Sequence, residues 1–150
     1  MKDLSSSGFQ AIHMTGIKDF SLYEARYRLA HLSVKAYAFI NNISQAYAAA
    51  DIVIARAGAA TVSELGLLGL AAVLVPYPFA GNHQKYNADV LADKGVAFIV
   101  EQKNLTKSSL REAMISMLSL NFSREDILRK TKDLFQTDAA LQLALVTEGL

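Results

Sequence analysis

Arg56-Ala-Gly-Ala-Ala-Thr-Val-Ser-Glu64 follows the apolar run Asp51-Ile-Val-Ile-Ala55 and leads into an apolar helical pattern. Small residues where a strand turns into a helix let a ligand come close to the backbone. The first N–H groups of that helix have no intrahelical acceptor, and together with the helix dipole they favour a phosphate. Thr61 and Ser63 add hydroxyl donors. Glu64, about one turn in, can accept two hydrogen bonds from a diol such as a ribose. The same residues also suit a purely structural corner, because small side chains permit tight strand–helix packing and an acidic first turn stabilises any helix. The stretch is neither G-x-G-x-x-G nor G-x-x-x-x-G-K-[ST], so no standard nucleotide fingerprint decides between these readings.

A second group lies in Val75-Pro-Tyr-Pro-Phe-Ala-Gly-Asn-His-Gln-Lys-Tyr-Asn-Ala88, which crosses both prolines of the chain. It brings His83, Gln84 and Asn87 to the start of a helix. Gln84 and Asn87 are three apart and share a face. Uncharged amides, with donors and acceptors both, suit sugar hydroxyls. Capping by Asn82 or a solvated helix face would explain the same residues. His83 has no carboxylate nearby in sequence to orient it as a base. His13 lies in a strand pattern and His31 at a helix end, and no His/Glu cluster has metal-ligand spacing. A third segment, Ala38-Phe39-Ile40-Asn41-Asn42, ends a strand at the same edge of the expected sheet. An aromatic followed by exposed backbone can frame a planar base, although Phe39 taken alone is more simply a core residue.

The elements that must position these groups read as an alternation. Strands are expected at Gln10–Met14, Val34–Phe39, Asp51–Ala55, Ala72–Pro76 and Val96–Val100, several of them apolar nearly throughout, as strands covered on both faces are. Helices are expected at Leu22–Leu32, Ile43–Ala50, Thr61–Leu68 and Gln84–Lys94, the last stopping at Gly95. Strand–helix alternation predicts an α/β, doubly wound parallel sheet with right-handed crossovers. Beyond Val100 the pattern is helical only. Thr106 is an N-cap for Lys107–Leu118, Ser123-Arg-Glu-Asp126 is a capping box opening Arg124–Phe135, and Asp138–Thr147 reads as a third helix. No linker or composition break interrupts the 150 residues, which read as one domain.

Bulk properties narrow the function classes. Apolar residues make up 52% and charged residues 19%, a globular rather than a disordered composition. A net charge of +1 gives no basic face for nucleic acid. With no Cys there are no disulfides or thiolate metal sites, in keeping with a cytoplasmic protein. No apolar run reaches the roughly 18 residues of a membrane span, and the N-terminus lacks an apolar signal core.

Taken together, "ADIVIARAGAATVSELGLLGLAAVLVPYPFAGNHQKYNADVLADKGVAFIVEQ", "VKAYAFINNISQAYAAAD" and "AIHMTG" resemble the C-terminal, donor-binding domain of the MurG family. The specific part is the pair R-x-G-A-x-T-x-S-E and HQ-x-x-NA, in order and between the right strands. Met14 stands where that family's HQTG-like strand end usually has Gln. The resemblance implies half of a GT-B glycosyltransferase, an inverting N-acetylglucosaminyltransferase that moves GlcNAc from UDP-GlcNAc to lipid I and forms lipid II in peptidoglycan synthesis, with no metal or other cofactor. It implies that Phe39 and Ile40 flank the uracil, Glu64 binds the ribose, Ala60 and Thr61 offer N–H groups to the diphosphate, and Arg56 lies near the phosphates. Gln84 and Asn87, helped by His83, would hold the GlcNAc hydroxyls. The full enzyme would sit peripherally at the cytoplasmic face of the inner or plasma membrane.

Two departures shape the expectation. Nothing resembles the family's acceptor-binding N-terminal domain, where the catalytic residue is expected. The chain also begins after the family's G-G-S-x-G-A loop and the strand before it. In the 3-2-1-4-5-6 strand order that strand is central, so Gln10–Met14 and Asp51–Ala55 would be left with unpaired inner edges. Residues 1–150 are thus expected to be a partial donor-binding domain, inactive alone and binding UDP-GlcNAc weakly. Self-association is one way to fill the gap in the sheet. Two alternatives are the donor subunit of a split glycosyltransferase and a non-catalytic nucleotide-sugar-binding or interaction domain.

Overall fold

A computed structural model describes residues 8–78 and 81–135, which fall into two compact units, Met1–Ala49 and Ala50–Leu150. The helix expected at Asp138–Thr147 lies outside the described residues.

The first unit runs β1 (Ala11–Met14), α1 (Phe20–Leu29), β2 (Val34–Tyr37) and α2 (Ile43–Ala49). β1 and β2 pair in parallel, Ala11 opposite Val34 and Met14 opposite Tyr37. On the α1 side of β1, Nδ1 of His13 lies 2.6 Å from the Tyr27 hydroxyl, and the His13 ring meets Tyr23 edge-on with centroids 5.5 Å apart. Burial, and then the neighbouring Tyr23, push the Tyr27 phenol above its ordinary pKa. α1 ends three residues before the expected Leu32, because His31 turns into the left-handed region at φ 50° and the Leu32 N–H returns to the Tyr27 carbonyl. None of the unit's described residues is fully buried.

The second unit runs β3 (Ile52–Ala55), α3 (Ala59–Leu67), β4 (Ala71–Leu74), α4 (His83–Ala92), β5 (Ala97–Ile99), a 3₁₀ turn at Gln102–Asn104, α5 (Lys107–Ser119) and α6 (Arg124–Thr131). All five expected strands are present. β3, β4 and β5 form a parallel sheet with β4 in the centre. Every residue of β4 is buried. Val73 and Val75 pack with Val100 and with Leu110, Ala113 and Met114 of α5. Ala72 and Leu74, on the opposite face, are wholly buried as well. A central strand covered on both faces has no polar face to show, which is why Ala71-Ala-Val-Leu74 does not alternate. Fully burying each of Leu65, Leu70, Leu74, Leu91 and Ile127 contributes about 1.5–3 kcal/mol.

Among the described residues, β1 pairs only with β2 and β3 only with β4, leaving the other edge of each without a ladder. This matches the unpaired edges anticipated from the sequence.

The two expected caps are formed. Thr106 and Ser109 exchange side-chain and backbone hydrogen bonds at the start of α5, and Ser123 and Asp126 do the same at α6. Hydrogen bonds from the Ser123 hydroxyl and backbone hold the Asp126 carboxyl below the usual carboxylate range. α6 is fastened to the rest of the unit by Thr131, whose buried hydroxyl lies 3.0 Å from the Gly66 carbonyl, and by Arg124, which donates to the Ala50 carbonyl at 3.0 Å.

Gly69 ends α3 with φ 65°, and a Cβ there would lie 2.6 Å from the Arg124 carbonyl oxygen and 2.9 Å from Leu128. Gly95 has φ 69° but nothing within 4 Å of such a Cβ. Gly69→Ala therefore meets both a left-handed backbone and a backbone clash, and should cost about 2 kcal/mol or more, against about 1 kcal/mol for Gly95→Ala. Urea unfolding of the two variants checks this. Equal losses would show that α6 does not pack where described.

Candidate functional site

The parallel register sets three strand ends abreast. Ala55 is opposite Leu74, and Leu74 is opposite Ile99. The ladder continues one step, with Val75 N–H to the Ala55 carbonyl and Val100 N–H to the Leu74 carbonyl, both 2.9 Å. The segments that follow β3 and β4, which carry most of the sequence-predicted site residues, thus leave from one edge of one sheet.

At the β3 corner, Gly58 takes the N-cap in an extended conformation, φ −65° and ψ 148°, and makes no side-chain cap bond. The first intrahelical bond is Val62 N–H to the Gly58 carbonyl, 2.9 Å. The N–H groups of Ala59, Ala60 and Thr61 precede it and have no intrahelical acceptor. α3 begins two residues earlier than the sequence pattern suggests, since Ala59 and Ala60 are strong helix formers. Glu64 consequently falls in the second turn, the first turn holds no acidic residue, and dipole stabilisation of a first turn does not explain Glu64.

Residues of the β4–α4 segment tie that segment to the β3 corner. Asn87 donates from Nδ2 to the carbonyl of Ala57, a wholly buried residue, at 3.0 Å. Gln84 accepts from the Tyr77 N–H through Oε1 at 2.9 Å. Arg56, reaching the other way, donates from Nη1 to the carbonyls of Val75 at 3.1 Å and Pro76 at 3.4 Å, and its guanidinium lies 5.6 Å from the Tyr77 ring centre. Gln84 and Asn87 share the face of α4 turned to these loops, as their spacing predicts. Asn82 makes no side-chain cap bond to α4 and sits left-handed at φ 61°, so capping does not account for it. Exposed His83 opens α4, its Nε2 3.3 Å from where a Gly81 Cβ would stand.

Arg56, Ala60, Thr61, Glu64, His83, Gln84 and Asn87 therefore belong to two adjoining corners of the second unit. Phe39 and Ile40 follow β2 in the first unit. Phe39 is 66% exposed, which overturns its simpler reading as a core residue. The expected strand there, Val34–Phe39, ends at Tyr37. Tyr77 and the Ala57 carbonyl are contributors that the side-chain pattern did not single out. The signal for Tyr77 was its place between the chain's two prolines.

A cleft of about 580 Å³ opens elsewhere in the second unit, lined by Lys85, Val100, Glu101, Asn104 and Glu112 among others. It contains none of the predicted site residues. Its two glutamates do not favour a diphosphate, whereas the uncapped start of α3 does. Among the described residues no group of three or more His, Asp or Glu side chains is placed to hold a metal ion, and no helix is long and apolar enough to cross a membrane.

A parallel α/β sheet with a helix start and two amides at neighbouring strand ends places the chain in the Rossmann-like class of folds, in which ligands bind beyond the carboxyl ends of the strands. The comparisons agree with that class and narrow it. The profile described as "Glycosyltransferase family 28 C-terminal domain" matches residues 1–143, and the chain belongs to that family. It is 37% identical over 147 residues to the UDP-N-acetylglucosamine–N-acetylmuramyl-(pentapeptide) pyrophosphoryl-undecaprenol N-acetylglucosamine transferase of Desulfotalea psychrophila, covering 97% of this chain and 40% of that protein. The crystal structure of Acinetobacter baumannii MurG superposes with a TM-score of 0.80 at 32% identity, over 93% of this chain and 41% of that one. A kitacinnamycin glycotransferase shares the fold alone, with a TM-score of 0.63 at 14% identity. The chain spans about 40% of the length of the curated relatives it matches.

The ties across the two corners differ in burial, and so in cost. Asn87→Ala leaves the buried Ala57 carbonyl without its donor and should cost about 1–3 kcal/mol. Gln84→Ala exposes an N–H that water can serve, and should stay within about 0.5 kcal/mol of the parent. Chemical denaturation of both variants reads the difference. A larger loss for Gln84→Ala would contradict the described placement of Asn87.

Proposed function

We propose that this domain binds UDP-GlcNAc and supplies the donor half of a transferase that moves GlcNAc to lipid I, forming lipid II. The observation that carries the proposal is that an uncapped helix start and the amides of Gln84 and Asn87 lie at two neighbouring strand ends, with Glu64 in the second turn of the same helix. Family membership and the printed activity of the relatives supply the reaction.

The roles follow from what each group can do. The N–H groups of Ala59, Ala60 and Thr61 donate to the diphosphate oxygens, and the positive end of α3 stabilises charge developing on the UDP leaving group. Arg56 adds cationic donors at the same edge while Nη1 is held by the β4 loop. Glu64 takes the ribose hydroxyls as a bidentate acceptor. Gln84 and Asn87 meet the sugar, with His83 beside them. The acceptor lipid and the catalytic base belong to the acceptor-binding half of such an enzyme, which works peripherally at the cytoplasmic membrane face. The reaction as proposed uses no metal and involves no nucleic acid.

Calorimetric titration with UDP and UDP-GlcNAc tests the assignment. Glu64→Ala should weaken both ligands by about tenfold, as expected for losing charge-assisted hydrogen bonds of about 1.5 kcal/mol. Gln84→Ala should weaken UDP-GlcNAc severalfold and leave UDP nearly unchanged. Purified alone, the chain should form no lipid II from lipid I and UDP-GlcNAc. Equal loss of both ligands in Gln84→Ala, or unchanged UDP binding in Glu64→Ala, would refute the division of roles, and lipid II formation by the chain would refute the need for an acceptor half.

A further inference from the structure

The segment leaving β4 reads Val75-Pro76-Tyr77-Pro78 and holds both of the chain's prolines. Proline has no backbone N–H, so across positions 76–78 the only main-chain donor is that of Tyr77. That donor is given to Oε1 of Gln84 at 2.9 Å. Pro78 restricts the residue before it to extended backbone, which narrows the conformations of Tyr77 before any contact is made. The two carbonyls just upstream receive Arg56, and the Tyr77 ring lies against the same guanidinium.

These partners fix the polarity of the two amides. A backbone N–H only donates, so Gln84 must turn its oxygen to Tyr77 and its NH₂ away. A backbone carbonyl only accepts, so Asn87 must turn its NH₂ to Ala57 and its oxygen away. Two residues on one helix face thus present opposite groups, a donor from Gln84 and an acceptor from Asn87.

We infer that Tyr77 is a positioning residue for sugar recognition. Its N–H holds Gln84 with the NH₂ outward, making with Asn87 a one-donor, one-acceptor edge for the hydroxyls or acetamido group of a neutral sugar. The inference rests on the donor-binding reading above and adds to it the residue that orients the sugar end.

The hydrogen bond itself is tested without ligand. In Gln84→Glu the new carboxylate still accepts from Tyr77, so the Tyr77 amide proton signal should move downfield as pH rises through about 4–5, the range of a glutamate. A Tyr77 signal that ignores this titration overturns the proposal. The second arm compares Tyr77→Ala, which keeps the N–H and removes the ring, with Tyr77→Pro, which removes both. The readout is the ratio of the Kd for UDP to the Kd for UDP-GlcNAc, which cancels any loss of nucleotide affinity through Arg56. Tyr77→Ala should keep the wild-type ratio within about twofold, and Tyr77→Pro should lower it about threefold to tenfold. Equal ratios in the two variants, or a wild-type ratio of one, would overturn the proposal while leaving UDP binding intact. Failure of the wild-type chain to bind UDP would instead overturn the donor-binding reading and this inference with it. If Tyr77→Pro does not fold, a Tyr77 signal that ignores the Gln84→Glu titration, or a wild-type ratio of one, still overturns the proposal.

Discussion

The site depends on the parallel ladder around β4. Its four residues are buried from both faces, and the ladders on either side place Ala55, Leu74 and Ile99 abreast. A side-chain period of two makes this register rigidly specified, since a slip of one residue would turn Val73 away from the α5 core. Because the register is fixed, the β3 corner and the β4 loop leave the sheet at the same level. Arg56 can then reach the carbonyls of Val75 and Pro76, and Asn87 can reach back to Ala57. The chemistry is a consequence of strand register more than of any single loop.

On that platform each of the two α4 amides has one end held by a neighbouring loop, and in the proposed site the other end meets the ligand. The helix start at Ala59 is left uncapped by side chains, a condition that costs a little helix stability and favours an anion. The cleft beside β5 carries Glu101 and Glu112 in its lining, which do not favour a diphosphate. Charge and hydrogen-bond polarity, rather than cavity size, point to the α3 corner.

Much of this was legible in the sequence. The apolar runs gave all five strands, because buried parallel strands have little room for polar residues. The caps at Thr106 and Ser123 were visible as local side-chain chemistry. The corner residues were legible only in combination, since a small-residue turn serves packing and phosphate equally well. The start of α3 was misplaced because Gly58 marks the N-cap through its backbone, with no side-chain signature. The exposure of Phe39 was hidden for a different reason, as burial at a strand end depends on tertiary neighbours. The Tyr77–Gln84 bond involves a backbone donor seven residues away, which no side-chain pattern reports.

The central claim is that the uncapped start of α3 receives the diphosphate and the face of α4 receives the sugar. The most direct measurement is a ¹H–¹⁵N titration of the chain, first with UDP and then with UDP-GlcNAc. The account predicts that UDP shifts the backbone amides of Ala59, Ala60 and Thr61, and that only UDP-GlcNAc also shifts the side-chain NH₂ signals of Gln84 and Asn87. Shifts confined to Val100, Glu101 and Asn104, with Ala59–Thr61 unmoved, would contradict it.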